Sequence, residues 1–224
     1  MDWQAIWLSL RLSCWTTLIL LLAGTPIAYW LAFSRLRWKF LIEALVALPL
    51  VLPPTVLGFY ILLAIGPNGP IGRFYTLVAG RLLPFSFQGL LAASVLYSFP
   101  FAVQPFMSAF AAVDRKLVEA SWCLGVSRRE TFFRLIAPLS LPGLVTGLVL
   151  SFAHTLGEFG VVLMVGGNLP GVTRTISISI YDHVQALDYA SAGTTSALLL
   201  GFSFVVLAVT YALQRRFWAV WPMS

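Results

Sequence analysis

The side chains best placed to do chemistry stand in an apolar setting. Ser151, His154, Thr155 and Glu158 follow one another at i, i+3, i+4 and i+7 within an otherwise hydrophobic run, so a helix carries them as one polar stripe. A carboxylate in such a run is costly to bury and normally faces a cavity or a partner. One reading makes His154 and Glu158 the working residues of an enzyme embedded in the membrane. As metal ligands the two fall short, because two donors on one helix do not fill a zinc shell. His183, the only other histidine, lies in a separate stretch and reads as an interfacial polar residue, as does Glu43. No metal, no cofactor and no nucleophile–base triad is expected. A phosphate-cradling loop needs Gly-Lys-Ser/Thr. The two lysines, Lys39 and Lys116, are instead flanked by Trp38 and Phe40 and by Arg115 and Leu117. Any ATP-driven work therefore needs a partner that binds the nucleotide.

The elements that must position the stripe are membrane spans. Of 224 residues, 59% are hydrophobic and 10% charged, with a mean hydropathy of +0.90. A soluble domain has about 45–50% and about 25%, so there are too few charges here to coat a water-facing surface, and a soluble enzyme is excluded. The expectation is an all-α integral membrane protein, one transmembrane domain over 1–224, with about five spans near 12–33, 41–65, 89–113, 139–165 and 194–213. Each approaches the ~20 residues that cross a bilayer as helix. The first follows Met1-Asp2 rather than a basic segment and reads as a retained span. Pro49, Pro53 and Pro54 fall in the second span, Pro100 and Pro105 in the third, and Pro138 and Pro142 at the start of the fourth. Each removes a helix donor, and freed backbone at membrane depth persists only where protein or a water-filled cavity satisfies it. Spans two to four therefore read as the core that lines a pathway. Gly143 and Gly147 form a GxxxG that permits close helix approach.

The net charge of +6 comes from fourteen Lys and Arg against eight Asp and Glu. These bases lie in short clusters between apolar runs, which marks them as topogenic charge rather than a nucleic-acid surface. Arg35, Arg37, Lys39, Arg115, Lys116, Arg128, Arg129, Arg134, Arg215 and Arg216 fall on one side; Arg11, Arg73, Arg81 and Arg174 fall on the other. The richer side is cytoplasmic by the positive-inside rule, which puts the N-terminus outside and the C-terminus inside. The stretches 73–87 and 174–189 read as external interfacial helices. Cys14 lies in an apolar run and Cys123 in a charged loop, so neither a disulfide nor a redox role is assigned.

Between spans three and four, 114–137 predicts a helical hairpin. Leu117, Ala120, Ser121 and Leu124 share one helical face, Asp114 can cap its start, and Gly125 stands where a left-handed C-cap belongs. Ser127 and Glu130 then make a capping box for a second helix that Pro138 is expected to end. Arg115 and Lys116 oppose the dipole of the first helix, so their placement serves topology or a partner.

Glu119-Ala120-Ser121, three residues, Gly125, nine residues, then Leu135-Ile136-Ala137-Pro138 resembles the EAA motif of ABC-importer permeases, whose pattern is Glu-Ala-Ala, x3, Gly, x9, Ile-x-Leu-Pro. It departs at Ser121, Leu135 and Ala137. The segments 47–56, 156–160 and 169–176 are similar to those of the molybdate permeases within the molybdate and sulfate importer group, and the expectation of five spans leaves out the additional N-terminal span of some relatives. The resemblance implies a type I importer permease that moves molybdate inward, with sulfate or tungstate as alternatives within the group. Its partners would be two cytoplasmic ATP-binding subunits and an extracytoplasmic molybdate-binding protein. It also implies that Glu119, Ala120, Ser121, Gly125, Leu135 and Pro138 form the region that couples to the ATPase. Ser151, His154, Thr155 and Glu158 are then assigned to the pathway or its gate. A bare carboxylate repels an oxyanion, so Glu158 is expected to brace the gate rather than ligate the cargo. Five spans make a thin wall around a passage, and a homodimer is the economical assembly.

Overall fold

The computed structural model describes residues 2–220, with side chains described to residue 212. Helix α1 (Trp3–Ile19) begins at Asp2, whose carboxylate accepts from the Ala5 N–H at 3.0 Å. It passes through a π-helical segment, Leu20–Gly24, into α2 (Thr25–Phe33), making one helix of 31 residues. The first span thus begins at Trp3 rather than at residue 12, because Ala5, Leu8 and Leu12 form one buried face. Arg11 lies within that helix, not ahead of it, with its guanidinium 4.4 Å from the centroid of the Phe87 ring.

The segment expected as the second span is two helices, α3 (Lys39–Val51) and α4 (Pro54–Ile65), bent by 112°. A residue before proline is driven out of the helical region. Leu52 and Pro53 both precede one, and both have a ψ of 136°. The first interfacial stretch contains α5 (Pro70–Ala79), which stops at left-handed Gly80, so helix occupies less of 73–87 than expected. Next comes α6 (Phe87–Ala111), where Ser86 accepts from the Gly89 N–H. The hairpin is α7 (Arg115–Cys123) and α8 (Arg128–Thr131), leading through a second π segment, Phe132–Ile136, into α9 (Ala137–Gly157). After α10 (Gly160–Gly166) and α11 (Ile176–Gln185), α12 (Tyr189–Val220) closes the chain. The side chains of Arg215 and Arg216 lie outside the described residues.

Two further expectations are corrected. Pro138 does not end a helix, since Arg128–Gly157 is continuous. The π turn widens the backbone so that the Ala137 N–H reaches the Phe132 carbonyl, making room for a ring that would otherwise strike the preceding turn. The same device precedes Pro26 in the first span. The fourth span is not one helix over 139–165: α9 ends at Gly157, and Glu158 is extended with a ψ of 137°.

Among the described residues, Trp3–Phe33, Phe87–Ala111, Arg128–Gly157 and Tyr189–Ala212 are long and apolar enough to cross a membrane, which makes four spans, or five if the bent α3–α4 pair is one span. Helix α6 is the centre of the bundle, burying Phe106 and Phe110 against Leu31, Ala102, Val103 and Ile136. Since lipid is as apolar as these side chains, close packing rather than water exclusion holds them. A Cβ on Gly143 would lie 2.4 Å from Ala109 Cβ, and one on Gly147 2.6 Å from the Phe106 ring. The GxxxG therefore seats α9 on α6 of the same chain.

Candidate functional site

The hairpin is built from local capping. Asp114 accepts from the Lys116 N–H at 2.9 Å. At the far end of α7, Gly125 has a φ of 81°, and the Val126 and Gly125 N–H groups return to the Ser121 and Trp122 carbonyls at 3.1 and 2.9 Å. Those two bonds make a Schellman turn. Ser127 accepts from the Glu130 N–H at 3.2 Å, while the Glu130 carboxylate reaches forward to Arg134 at 3.0 Å. Thr131 donates to the Ser127 carbonyl, and Ser121 donates to Thr131 at 2.7 Å. Arg128 lies over the Trp122 ring.

Only part of α7 touches the bundle. Val118 is buried in the same core as Ile136 and Leu144, a contact the sequence reading missed because it falls one position off the expected face. That expected face points outward: Leu117 is 50% and Leu124 83% exposed, and Glu119 and Ala120 are also exposed. Ser121 is the internal brace, Gly125 the turn, and Leu135 packs against the core. Pro138 stands exposed on the helix that re-enters the bundle.

Inside the bundle, the two span breaks meet. A Cβ on Gly160, the first residue of α10, would lie 2.7 Å from Pro54 Cβ at the start of α4, and one on Gly58 would lie 2.9 Å from Met164 Cβ. Two of the segments that carried the family resemblance, 47–56 and 156–160, are thus neighbours. Glu158 holds the break, since its two oxygens accept from the Val161 and Val162 N–H groups at 2.7 and 2.9 Å. A helix start leaves such donors without intrahelical partners, and a negative charge complements their dipoles.

His154 and Thr155 converge on Ser98 of α6, a residue the sequence reading did not single out. Ser98 Oγ lies 3.0 Å from His154 Nδ1 and 2.8 Å from Thr155 Oγ1. Thr155 donates to the Ser151 carbonyl at 2.8 Å, and Ser151 donates to the Leu148 carbonyl at 3.0 Å. The His154 ring stacks 3.8 Å from Phe101 and lies 4.7 Å from Tyr97. The polar stripe therefore ends at Thr155. His154 is committed to α6 and Glu158 to α10, so they are not assembled as one acid–base pair.

The loop after α10 forms a third cluster. Arg174 donates to Asn168 at 2.6 Å, Asn168 donates to Asp182, and Arg174 stands 3.4 Å from Asp182 and 3.9 Å from Asp2. Asp2, Arg174, Asp182 and His183 border a cleft of about 470 Å³. His183 pairs with Asp188 at 3.3 Å. Hydrogen bonds from the Ser191 side chain and N–H hold the Asp188 carboxyl below its ordinary value. The Ile176 N–H donates to Ser9 at 2.8 Å, fastening this loop to α1.

A helical bundle with broken spans meeting in its interior and a capped hairpin presenting an apolar face outward defines the membrane subunit of a transporter. Residues 24–219 match the family of binding-protein-dependent transport system inner membrane components, and the chain belongs to that family. It is 51% identical over 216 residues to the molybdenum transport system permease protein ModB of Azotobacter vinelandii, covering 96% of this chain and 95% of that one. To ModB of Escherichia coli K12 it is 39% identical, over 82% and 80% of the two chains. The fold is that of type I ABC-importer permeases. A bacterial alginate ABC transporter in complex with an alginate-bound periplasmic protein superposes with a TM-score of 0.77 at 16% identity, over 96% of this chain and 78% of that one. The inward-facing methionine transporter MetNI gives 0.75 at 16% identity, over 96% and 95%.

Proposed function

We propose that this chain is the permease subunit through which an ATP-driven importer moves molybdate inward. It works as a homodimer with two cytoplasmic ATP-binding subunits and an external molybdate-binding protein, with its N-terminus outside and its C-terminus inside. The observation that carries the reading is the outward apolar face of α7, Leu117 and Leu124, on a helix fixed by a Schellman turn. An exposed apolar face held this rigidly suits a docking partner. The substrate assignment draws support from the 51% identity to a molybdenum permease over nearly the whole chain.

In this reading, closure of the ATPases on ATP moves α7. Helix α9 carries that motion to the break at Glu158, and the spans rock between inward- and outward-facing arrangements. Glu119 and Ala120, with Leu117 and Leu124, form the docking surface, Ser121 braces it from within through Thr131, Gly125 sets its angle, and Leu135 and Pro138 belong to the helix that returns it to the bundle. Ser151, His154, Thr155 and Glu158 line or brace the gate. The test is uptake by proteoliposomes that hold the whole complex: molybdate enters only with both ATP and the binding protein. Uptake that persists without ATP would refute the coupled importer and leave a passive channel.

A further inference from the structure

The hydroxyls around His154 permit a proton count that fixes the state of its ring. Thr155 Oγ1 gives its single hydrogen to the Ser151 carbonyl at 2.8 Å, so towards Ser98, 2.8 Å away, it can only accept. Ser98 thereby commits its own hydrogen to Thr155, and what remains for His154 Nδ1 at 3.0 Å is a lone pair. The hydrogen between Ser98 and His154 therefore belongs to the imidazole. The opposite polarity would set Thr155 Oγ1 and the Ser151 carbonyl oxygen face to face with no proton between them. Neutral His154 is thus the Nδ1–H tautomer, and its Nε2 is a bare acceptor.

Nε2 can be protonated without rearrangement, because Ser98 accepts from Nδ1–H in both charge states. Residues 40–65, 87–111 and 137–166 contain no Lys or Arg, and His154 is their only histidine. It is the one side chain in these segments able to become a cation. The ring is clamped by Phe101 and Tyr97 but only half-buried, so it is held without being sealed.

We propose that His154 is the anion contact of the passage. It stands neutral when the passage is empty and takes a proton from water onto Nε2 when a tetrahedral oxyanion arrives, so that the anion accepts from Nε2–H. The proton returns to water as the anion leaves, and none is carried across. Ser98 is the positioning residue that keeps Nδ1–H committed. This inference rests on the oxyanion-permease reading.

The titratable groups around the site come from several elements. Helix α6 brings the Tyr97 hydroxyl, and the end of α9 brings Glu158, already bound to two backbone N–H groups. Elsewhere α1 holds Arg11 over Phe87 and carries Cys14, and α2 holds Tyr29 among Phe33, Phe110 and Phe132. Helix α3 holds the Lys39–Glu43 pair, α4 carries Tyr60, and α11 holds Asp182 and His183 in the Arg174 cluster. Helix α12 has no charged residue from 189 to 211.

The test labels the permease alone with ring-¹⁵N histidine and assembles it with unlabelled ATPase and binding protein. His183→Gln leaves a single labelled ring, since the chain has two histidines. At about pH 8 the ¹⁵N spectrum shows protonated Nδ1 and bare Nε2. Addition of molybdate during ATP turnover protonates Nε2, and Ser98→Ala gives a mixture of tautomers. Uptake by His154→Gln is taken as a ratio to the parent complex between about pH 6 and 8.5, which cancels the pH dependence of the partner proteins. The ratio climbs towards one as pH rises, because the imidazolium fraction falls about tenfold per unit above its pKa. A neutral ring protonated at Nε2, or a ratio flat with pH, overturns the proposal. If the parent complex takes up no molybdate at any pH while the spectrum shows the Nδ1–H tautomer, the tautomer assignment stands and the permease reading fails, taking the anion contact with it.

Discussion

Gly125→Val separates the docking angle of α7 from the stability of the membrane bundle. Gly125 has a φ of +81°, and a Cβ built there meets nothing within 4 Å, so the cost is conformational rather than steric. An L-residue held left-handed loses about 1–2 kcal/mol, and β-branched valine tolerates it worst. That energy lowers the ratio of formed to unformed Schellman turn by about 5–30-fold. Without the turn, the Val126 and Gly125 N–H groups leave Ser121 and Trp122, and Leu117 and Leu124 are redirected. The spans do not depend on these bonds. The assay is molybdate taken up per ATP hydrolysed in proteoliposomes, with the unfolding midpoint of the purified complex measured in parallel. Expected is a loss of coupled uptake of up to about 5–30-fold, with an almost unchanged midpoint. Gly125→Asn, which accepts the left-handed region, retains most of the coupling. Valine coupling like the parent, or asparagine failing as badly as valine, would refute the assigned role.

Gly147→Leu sets a Cβ 2.6 Å from the Phe106 ring and 2.9 Å from the Ala102 carbonyl. Such overpacking costs about 1–3 kcal/mol and lowers the unfolding midpoint in detergent, whereas Gly201→Leu, with open space around it, leaves it in place; equal effects would dismiss the seating of α9 on α6. Glu158→Gln turns an amide NH₂ towards an N–H it cannot accept from, losing about 1.5–3 kcal/mol of charge-assisted bonding. Hydrogen exchange at the Val161 and Val162 amides then accelerates, and unchanged exchange would show that the carboxylate is not what holds the break. With Cys14 and Cys123 replaced by serine, an impermeant thiol reagent applied to sealed cells labels a cysteine at position 2 but not one at position 124. The reverse pattern would invert the topology.

Features that close within a few residues were legible in the sequence. Asp114, Gly125 and Ser127 satisfy backbone groups two to five residues away, so their types and spacing specify the hairpin. The break at Glu158 was not legible, because hydropathy runs on through Phe159 and Gly160 while the partner that receives Gly160 is Pro54, in a distant span. Pro138 misled for a related reason. A proline ends an α-helix whose turns are fixed, but a π turn ahead of it absorbs the ring. Arg11 is compatible with a span interior because the Phe87 ring on α6 receives its guanidinium, a partner that lies far away in the sequence.

Ser98 was invisible for a different reason. A serine in an apolar run has no local signature, and its importance comes from the register between α6 and α9. Gly143 and Gly147 set that register by letting α9 lie directly on Ala109 and Phe106, and Ser140 confirms it lower down by donating to the Ala109 carbonyl at 3.3 Å. Only at this separation can one hydroxyl reach both His154 and Thr155. The two glycines thus act on the candidate site without touching it. The same closeness gives the hairpin its route inward: Val118 is buried beside Ile136, Ile136 leads into α9 without a loop, and α9 ends at the carboxylate that holds the break. In the proposed importer, a displacement of α7 would reach Glu158 through one continuous helix, whose register with α6 is locked by small residues at one end and by the Ser98 hydroxyl at the other.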